Sequence, residues 1–107
     1  ETGGRTLAVF AMLADKDIVG VVQALGSMID RWFVADIHYA RGASAQQLAE
    51  KIRQTIENAK VECHHEASFA FNAACHAADE NDRIIVFGSF YTVADVMRTL
   101  PATHLGD

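Results

Sequence analysis

The run Leu7-Ala8-Val9-Phe10-Ala11-Met12-Leu13 is apolar without alternation, as expected of a strand covered on both faces in a parallel sheet. The polar loop Asp15-Lys16-Asp17 follows. Ile18, Val21, Val22, Leu25 and Ile29 then recur at i, i+3, i+4, i+7 and i+11, which predicts a helix with one apolar stripe, ending near Asp30-Arg31. Trp32 to Ile37 is rich in the aromatic and β-branched types that suit a second strand. Gly42-Ala43 breaks the chain, and Ser44 with Gln47 three residues on forms a capping-box signature that opens a helix turning Leu48, Ile52 and Ile56 inward. Lys60 to Cys63 reads as a short strand because of its place between two helices. From Glu66, the residues Phe69, Ala70, Ala73, Ala74 and Ala77 mark a third helix, small enough on one side to lie close to a sheet. Asn81-Asp82 turns the chain, and Arg83 to Phe87 reads as a buried strand. Gly88-Ser89 leads into a fourth helix with Val93, Val96, Met97 and Leu100 on one face, stopped by Pro101.

The order βαβαβαβα implies parallel strands, right-handed crossovers and helices on both sheet faces. The predicted fold is a Rossmann-like three-layer αβα open sheet, mainly parallel, with strand order 3-2-1-4. Winding then reverses between the first and fourth strands, and ligands of such sheets bind beyond the carboxyl ends of the strands at that reversal. Those ends are Asp15-Lys16-Asp17 and Gly88-Ser89-Phe90-Tyr91.

Composition narrows the function classes. In 107 residues there are 9 Lys+Arg and 14 Asp+Glu, a formal charge of −5, with 50% apolar and 21% charged residues. Residues 1–107 are expected to form a single domain, since a chain of this length supports one core. The acidic balance and scattered basic residues argue against a nucleic-acid partner. The longest apolar run, Leu7 to Ala14, falls far short of the roughly 20 residues of a bilayer span, so no membrane partner is expected. The opening Glu1-Thr2-Gly3-Gly4, without an initiator Met, suggests a piece of a longer protein. Two cysteines make no disulfide framework, and the expected compartment is cytoplasmic.

Lys16 between two carboxylates, at the top of the first strand, could pair with an anionic ligand group. The plainer reading is a solvated loop in which Asp15 or Asp17 caps the next helix. Gly88-Ser89 at a strand-to-helix turn permits close backbone approach, offers free N–H groups to a carboxylate or phosphate, and adds a hydroxyl donor. Against this, Ser89 or Thr92 could simply cap that helix, with Asp95 as box partner to Thr92. A nucleophilic serine is disfavoured, because the Gly-x-Ser-x-Gly pattern is missing. Cys63-His64-His65 and Cys75-His76 contain zinc-ligand types, but their spacing matches no paired zinc motif, so surface histidines and core cysteine are expected. No phosphate loop and no Gly-x-Gly-x-x-Gly is present, so no cofactor site is expected within these residues.

The segments from Gly4-Arg5-Thr6 through Asp15-Lys16-Asp17-Ile18, Trp32-Phe33-Val34-Ala35, Arg41-Gly42-Ala43-Ser44-Ala45, and Arg83 through Gly88-Ser89-Phe90-Tyr91-Thr92-Val93 resemble the C-terminal domain of bacterial bifunctional dihydrofolate synthase/folylpolyglutamate synthase, a branch of the Mur ligase superfamily. The resemblance runs from about Arg5 to Leu100; Lys51 to Asp82 contributes little, and Ala40 stands where the family often has Pro. It implies a Rossmann-like domain following an N-terminal ATPase domain. In such an enzyme ATP and Mg activate the carboxylate of dihydropteroate or a folate as an acyl phosphate, which the amino group of L-glutamate attacks. The C-terminal domain presents glutamate and closes the site. By the same resemblance Lys16 and Ser89 would hold glutamate, with Asp15, Asp17 and Tyr91 as further contacts. The ATP and metal residues would lie in the absent domain, and the chain alone would be inactive. The alternatives are a stand-alone α/β regulatory module for a small anion, and the C-terminal domain of another Mur-type ligase.

Overall fold

The computed structural model describes residues 4–38, 40–88, 93 and 96–98. Four strands, β1 (Thr6–Phe10), β2 (Arg31–Ala35), β3 (Val61–His64) and β4 (Arg83–Phe87), alternate with α1 (Ile18–Leu25), α2 (Ala45–Thr55) and α3 (Ala67–Ala77). The sheet order is β3-β2-β1-β4, and every pairing is parallel. The expected α/β architecture and strand order are therefore present.

Parity along the strands explains the unbroken apolar runs. Ala8, Phe10, Trp32 and Val34 face α1 and α2, packing with Ile18, Val22, Leu48 and Ile52. Leu7, Val9, Phe33 and Ala35 face the other way, against Ala67, Ala70 and Ala74 of α3 and against Val96. On the α1/α2 side Phe10 lies 5.6 Å from Trp32, edge-on, and 4.9 Å from Phe87, so one aromatic group ties three strands. Such pairs add about 0.5–1.5 kcal/mol beyond the area they bury.

The start of α2 follows the sequence closely: Ser44 Oγ accepts from the Gln47 N–H at 3.0 Å and Gln47 Oε1 accepts from the Ser44 N–H at 2.9 Å. Other elements depart from expectation. The first helix ends at Leu25 and passes through a 3-10 turn at Gly26–Met28, so Ile29 reaches the core from extended chain. A Cβ at Gly26 would stand 2.5 Å from Ile56 Cδ1, so a side chain there would displace the tip of Ile56, and glycine is itself a poor helix former. The second strand stops at Ala35, short of Ile37, and the third is shifted one residue to Val61–His64. On α3 the buried face is Ala67, Ala70 and Ala74, while Phe69 is 52% exposed. The fourth strand is half-buried rather than buried, because it pairs on one side only. Val93, Val96 and Met97 are helical, yet only Val96 is buried; Met97 is 45% exposed. Leu100 and Pro101 lie outside the described residues.

The entry to β1 is locked to the entry of β4 by Asp82. Its carboxylate accepts from the Arg5 N–H at 2.7 Å, from Arg5 Nε and Nη2 at 3.1 and 2.7 Å, and from the Asp79 N–H at 2.8 Å. Arg5 also donates to the Ala77 carbonyl at 2.8 Å, joining the end of α3 to the same knot. These donors, the guanidinium first, hold the Asp82 carboxyl down to about 2. In the unfolded chain it should titrate near about 4. Between those values the unfolded chain binds more protons, so this contribution is complete above about pH 4 and is lost as pH falls through about 2. Asp82→Asn is expected to lower the melting temperature at pH 7 and to flatten the acid limb of stability. An acid limb as steep as the parent's, in melts from pH 7 to pH 2, would rule out Asp82 as its source.

Candidate functional site

The reversal of winding falls between β1 and β4, as their pairing with β1 at the centre requires. At its upper rim β4 ends in Gly88 with φ +120°, a region that side-chain-bearing residues rarely adopt. A Cβ there would overlap the Ala11 carbonyl oxygen. Gly88 thus lets the exits of β1 and β4 lie backbone against backbone, which forms one wall of the crevice.

The other wall is the loop after β1. The Lys16 N–H donates to the Leu13 carbonyl at 3.2 Å and the Ile18 N–H to the Lys16 carbonyl at 2.9 Å, so the loop doubles back on itself. Asp17 is the N-cap of α1, its carboxylate accepting from the Gly20 N–H at 3.0 Å. Asp15 turns away from Lys16 and accepts from Arg41 Nη1 at 3.0 Å. Among the described residues Lys16 makes no ion pair, and it is exposed. The two acids beside Lys16 are thus engaged, one by a helix end and one by an arginine, and the ammonium stands clear of both. Ser89 and Tyr91 lie outside the described residues.

The partner of this loop is the segment after β2. Leu13 and Gly42 form an antiparallel bridge, the Ala14 N–H donates to the Arg41 carbonyl at 2.7 Å and the Ala43 N–H to the Met12 carbonyl at 3.0 Å. Asp36, at the exit of β2, accepts from the Ala45 N–H at 2.6 Å, adding a second acceptor to the start of α2, and lies 3.6 Å from His65 Nδ1. Arg41 and Asp36 are the residues that loop-by-loop reading does not bring to the site. Both follow β2, whose carboxyl end belongs to the same rim, and Arg41 also opens one of the segments that carry the family resemblance.

Neither cysteine is in the core: Cys75 is exposed on α3, and Cys63 is exposed because β3 is the end strand of the sheet, although its thiol points to the Ala45 carbonyl at 3.7 Å. Among the described residues no group of three or more His, Cys, Asp or Glu could hold a metal ion. Nor is any helix among them long and apolar enough to cross a membrane.

The family model for the Mur ligase, glutamate ligase domain, matches residues 1–90. The chain is 41% identical over 103 residues to the dihydrofolate synthase/folylpolyglutamate synthase of Escherichia coli, covering 96% of this chain and 23% of that protein. Among solved structures, Escherichia coli FolC in complex with DHPP and ADP superposes with a TM-score of 0.86 at 38% identity, over 97% of this chain and 24% of that one. A bifunctional folylpolyglutamate synthase/dihydrofolate synthase with Mn, AMPPNP and L-glutamate bound superposes with a TM-score of 0.76 at 37% identity, over 94% of this chain and 23% of that one. The chain spans about a quarter of the length of these relatives.

Gly88→Ala is expected to cost about 1–3 kcal/mol of stability, the usual range for a strained backbone position. Denaturant unfolding would measure it; a loss under about 0.5 kcal/mol would mean that the two strand exits are not in contact.

Proposed function

The chain belongs to the Mur ligase glutamate ligase domain family, and from that membership we propose that it is the C-terminal, glutamate-presenting domain of an ATP-dependent amide ligase that adds L-glutamate to dihydropteroate or folates. Its partner is an N-terminal ATPase domain of the same cytoplasmic enzyme. One observation carries the reading: an exposed lysine ammonium stands at the switch point of the sheet while the acids on either side of it are already engaged elsewhere. A cation so placed is available to an incoming carboxylate. The relatives that cover nearly the whole chain carry the same pair of activities in their names, and one neighbour was solved with L-glutamate bound.

ATP and Mg, held by the other domain, supply the phosphoryl group and the charge neutralisation that turn the acceptor carboxylate into an acyl phosphate. The work of this chain is to deliver the nucleophile. Lys16 pairs with a glutamate carboxylate, and by the family resemblance Ser89 adds a hydroxyl donor on the same amino acid and Tyr91 is a further contact. That leaves the amino group directed at the acyl carbon. Attack forms the C–N bond, inorganic phosphate leaves with the C–O electrons, and the ammonium proton passes to solvent. Asp17 acts through its cap on α1, which sets the loop that carries Lys16, and Asp15 acts through Arg41, which ties that loop to the exit of β2.

In the full-length enzyme, Lys16→Ala should raise the KM for L-glutamate while leaving the KM for ATP in place. The lost charged hydrogen bond is worth about 1.5–3 kcal/mol, or roughly 10- to 150-fold. Asp17→Ala should lower stability by about 1 kcal/mol with a much smaller effect on glutamate. Unchanged glutamate kinetics in Lys16→Ala would remove that residue from the site. Turnover of a cell-wall precursor in place of a folate would assign the chain to a different ligase of the same fold.

A further inference from the structure

The opposite end of the sheet carries a feature that the ligase reading does not use. Each strand begins at or just after a cation: Arg5 precedes β1, Arg31 opens β2, Lys60 precedes β3 and Arg83 opens β4. Arg5, Arg31 and Lys60 join Arg53 of α2 around an open cleft of about 510 Å3, completed by Ala59, Val61 and Glu62. Four of the nine Lys and Arg residues of a chain with net charge −5 thus line one concavity. In a concave site such clustering focuses a positive potential.

The acids at this end offset the charge of Arg5 first. Asp82 is engaged by Arg5 and by two backbone N–H groups, Asp79 lies 3.6 Å from Arg5 Nη2, and Asp30 accepts from the Thr6 N–H at 2.7 Å. Arg5 is therefore a fixed wall. Glu62 is shared, 3.6 Å from Arg31 Nη2 and 2.7 Å from His64 Nε2. Arg31 stacks over Phe33 at 5.0 Å, which holds its guanidinium plane. Arg53 uses one N–H on the Val61 carbonyl at 3.3 Å. Among the described residues no carboxylate pairs with Arg53 or Lys60. The donors left over on Arg31, Arg53 and Lys60 come from three separate elements.

We propose that this cleft, formed by Arg31, Arg53 and Lys60 at the amino ends of the strands, binds a small polyvalent anion carrying two or more carboxylate or phosphate groups. Arginine forks suit either group bidentately, and lysine adds a point charge. A ligand with several anionic groups can reach more than one of the three cations, which a single carboxylate cannot. The site lies at the far end of the sheet from Lys16 and does not depend on the glutamate reading.

The test is titration of the chain with citrate and, separately, with pyrophosphate, followed by 1H–15N NMR at low ionic strength. Saturable shifts centred on Arg31, Arg53 and Lys60, weakening with added salt, are expected below about 10 mM. The Arg53→Gln/Lys60→Gln double variant, both of whose altered side chains are exposed, should bind at least about tenfold more weakly while melting like the parent. Lys16→Gln should bind as the parent does. Saturation by citrate alone assigns a polycarboxylate, and by pyrophosphate alone a phosphate ligand. Saturation by neither, affinity retained in the double variant, or affinity lost in Lys16→Gln would overturn the proposal.

Discussion

Everything in this domain depends on keeping water from both faces of β1. All five of its residues are buried, and a strand in that position can satisfy its backbone only through neighbours on each side. β2 and β4 supply those neighbours. The helices follow from the same demand, since each crossover must lay an apolar stripe on one face or the other. Because β2 and β4 leave β1 in opposite directions, the winding reverses there, and a crevice opens at the carboxyl end. The position of the candidate glutamate site is thus a by-product of how the central strand is covered.

The fold was largely legible because burial writes itself into sequence. Continuous apolar runs named β1, β2 and β4, position between two helices named β3, period-3.6 stripes named the helices, and the Ser44/Gln47 box fixed the start of α2. The misreadings share a cause. Ile29 satisfies the helical period of α1 yet reaches the core from extended chain, because hydrophobic spacing records which residues are buried and not the backbone that takes them there. Phe69 looks like core by type, but alanines are what let α3 approach the sheet, and its bulk is turned outward. Propensity and pattern are weak wherever close packing selects small residues.

The candidate site was legible to a lesser degree. Lys16 stood out because it lies between two carboxylates at the top of the first strand, and the strand order placed it at the reversal. The pairing of Asp15 with Arg41 was not legible, because it spans 26 residues and rests on how two loops bridge beyond the sheet edge. No local rule connects loops that leave neighbouring strands. The basic rim at the other end was hidden for the opposite reason. Its cations are evenly dispersed along the chain, and only parallel pairing, which brings every strand start to one edge, gathers them.

The knot between Arg5 and Asp82 also sets the mechanics of the domain. It clamps the entry of β1 at the edge of the sheet farthest from Lys16. The length of β1, about 16 Å at roughly 3.3 Å per residue, separates that clamp from the crevice. The strand is braced on both sides by hydrogen-bonded neighbours, so the clamp and the crevice are stiffly connected. A tilt of about 10° about the clamp would sweep the far end of β1 by about 3 Å over that length, the scale of a single hydrogen bond made or broken.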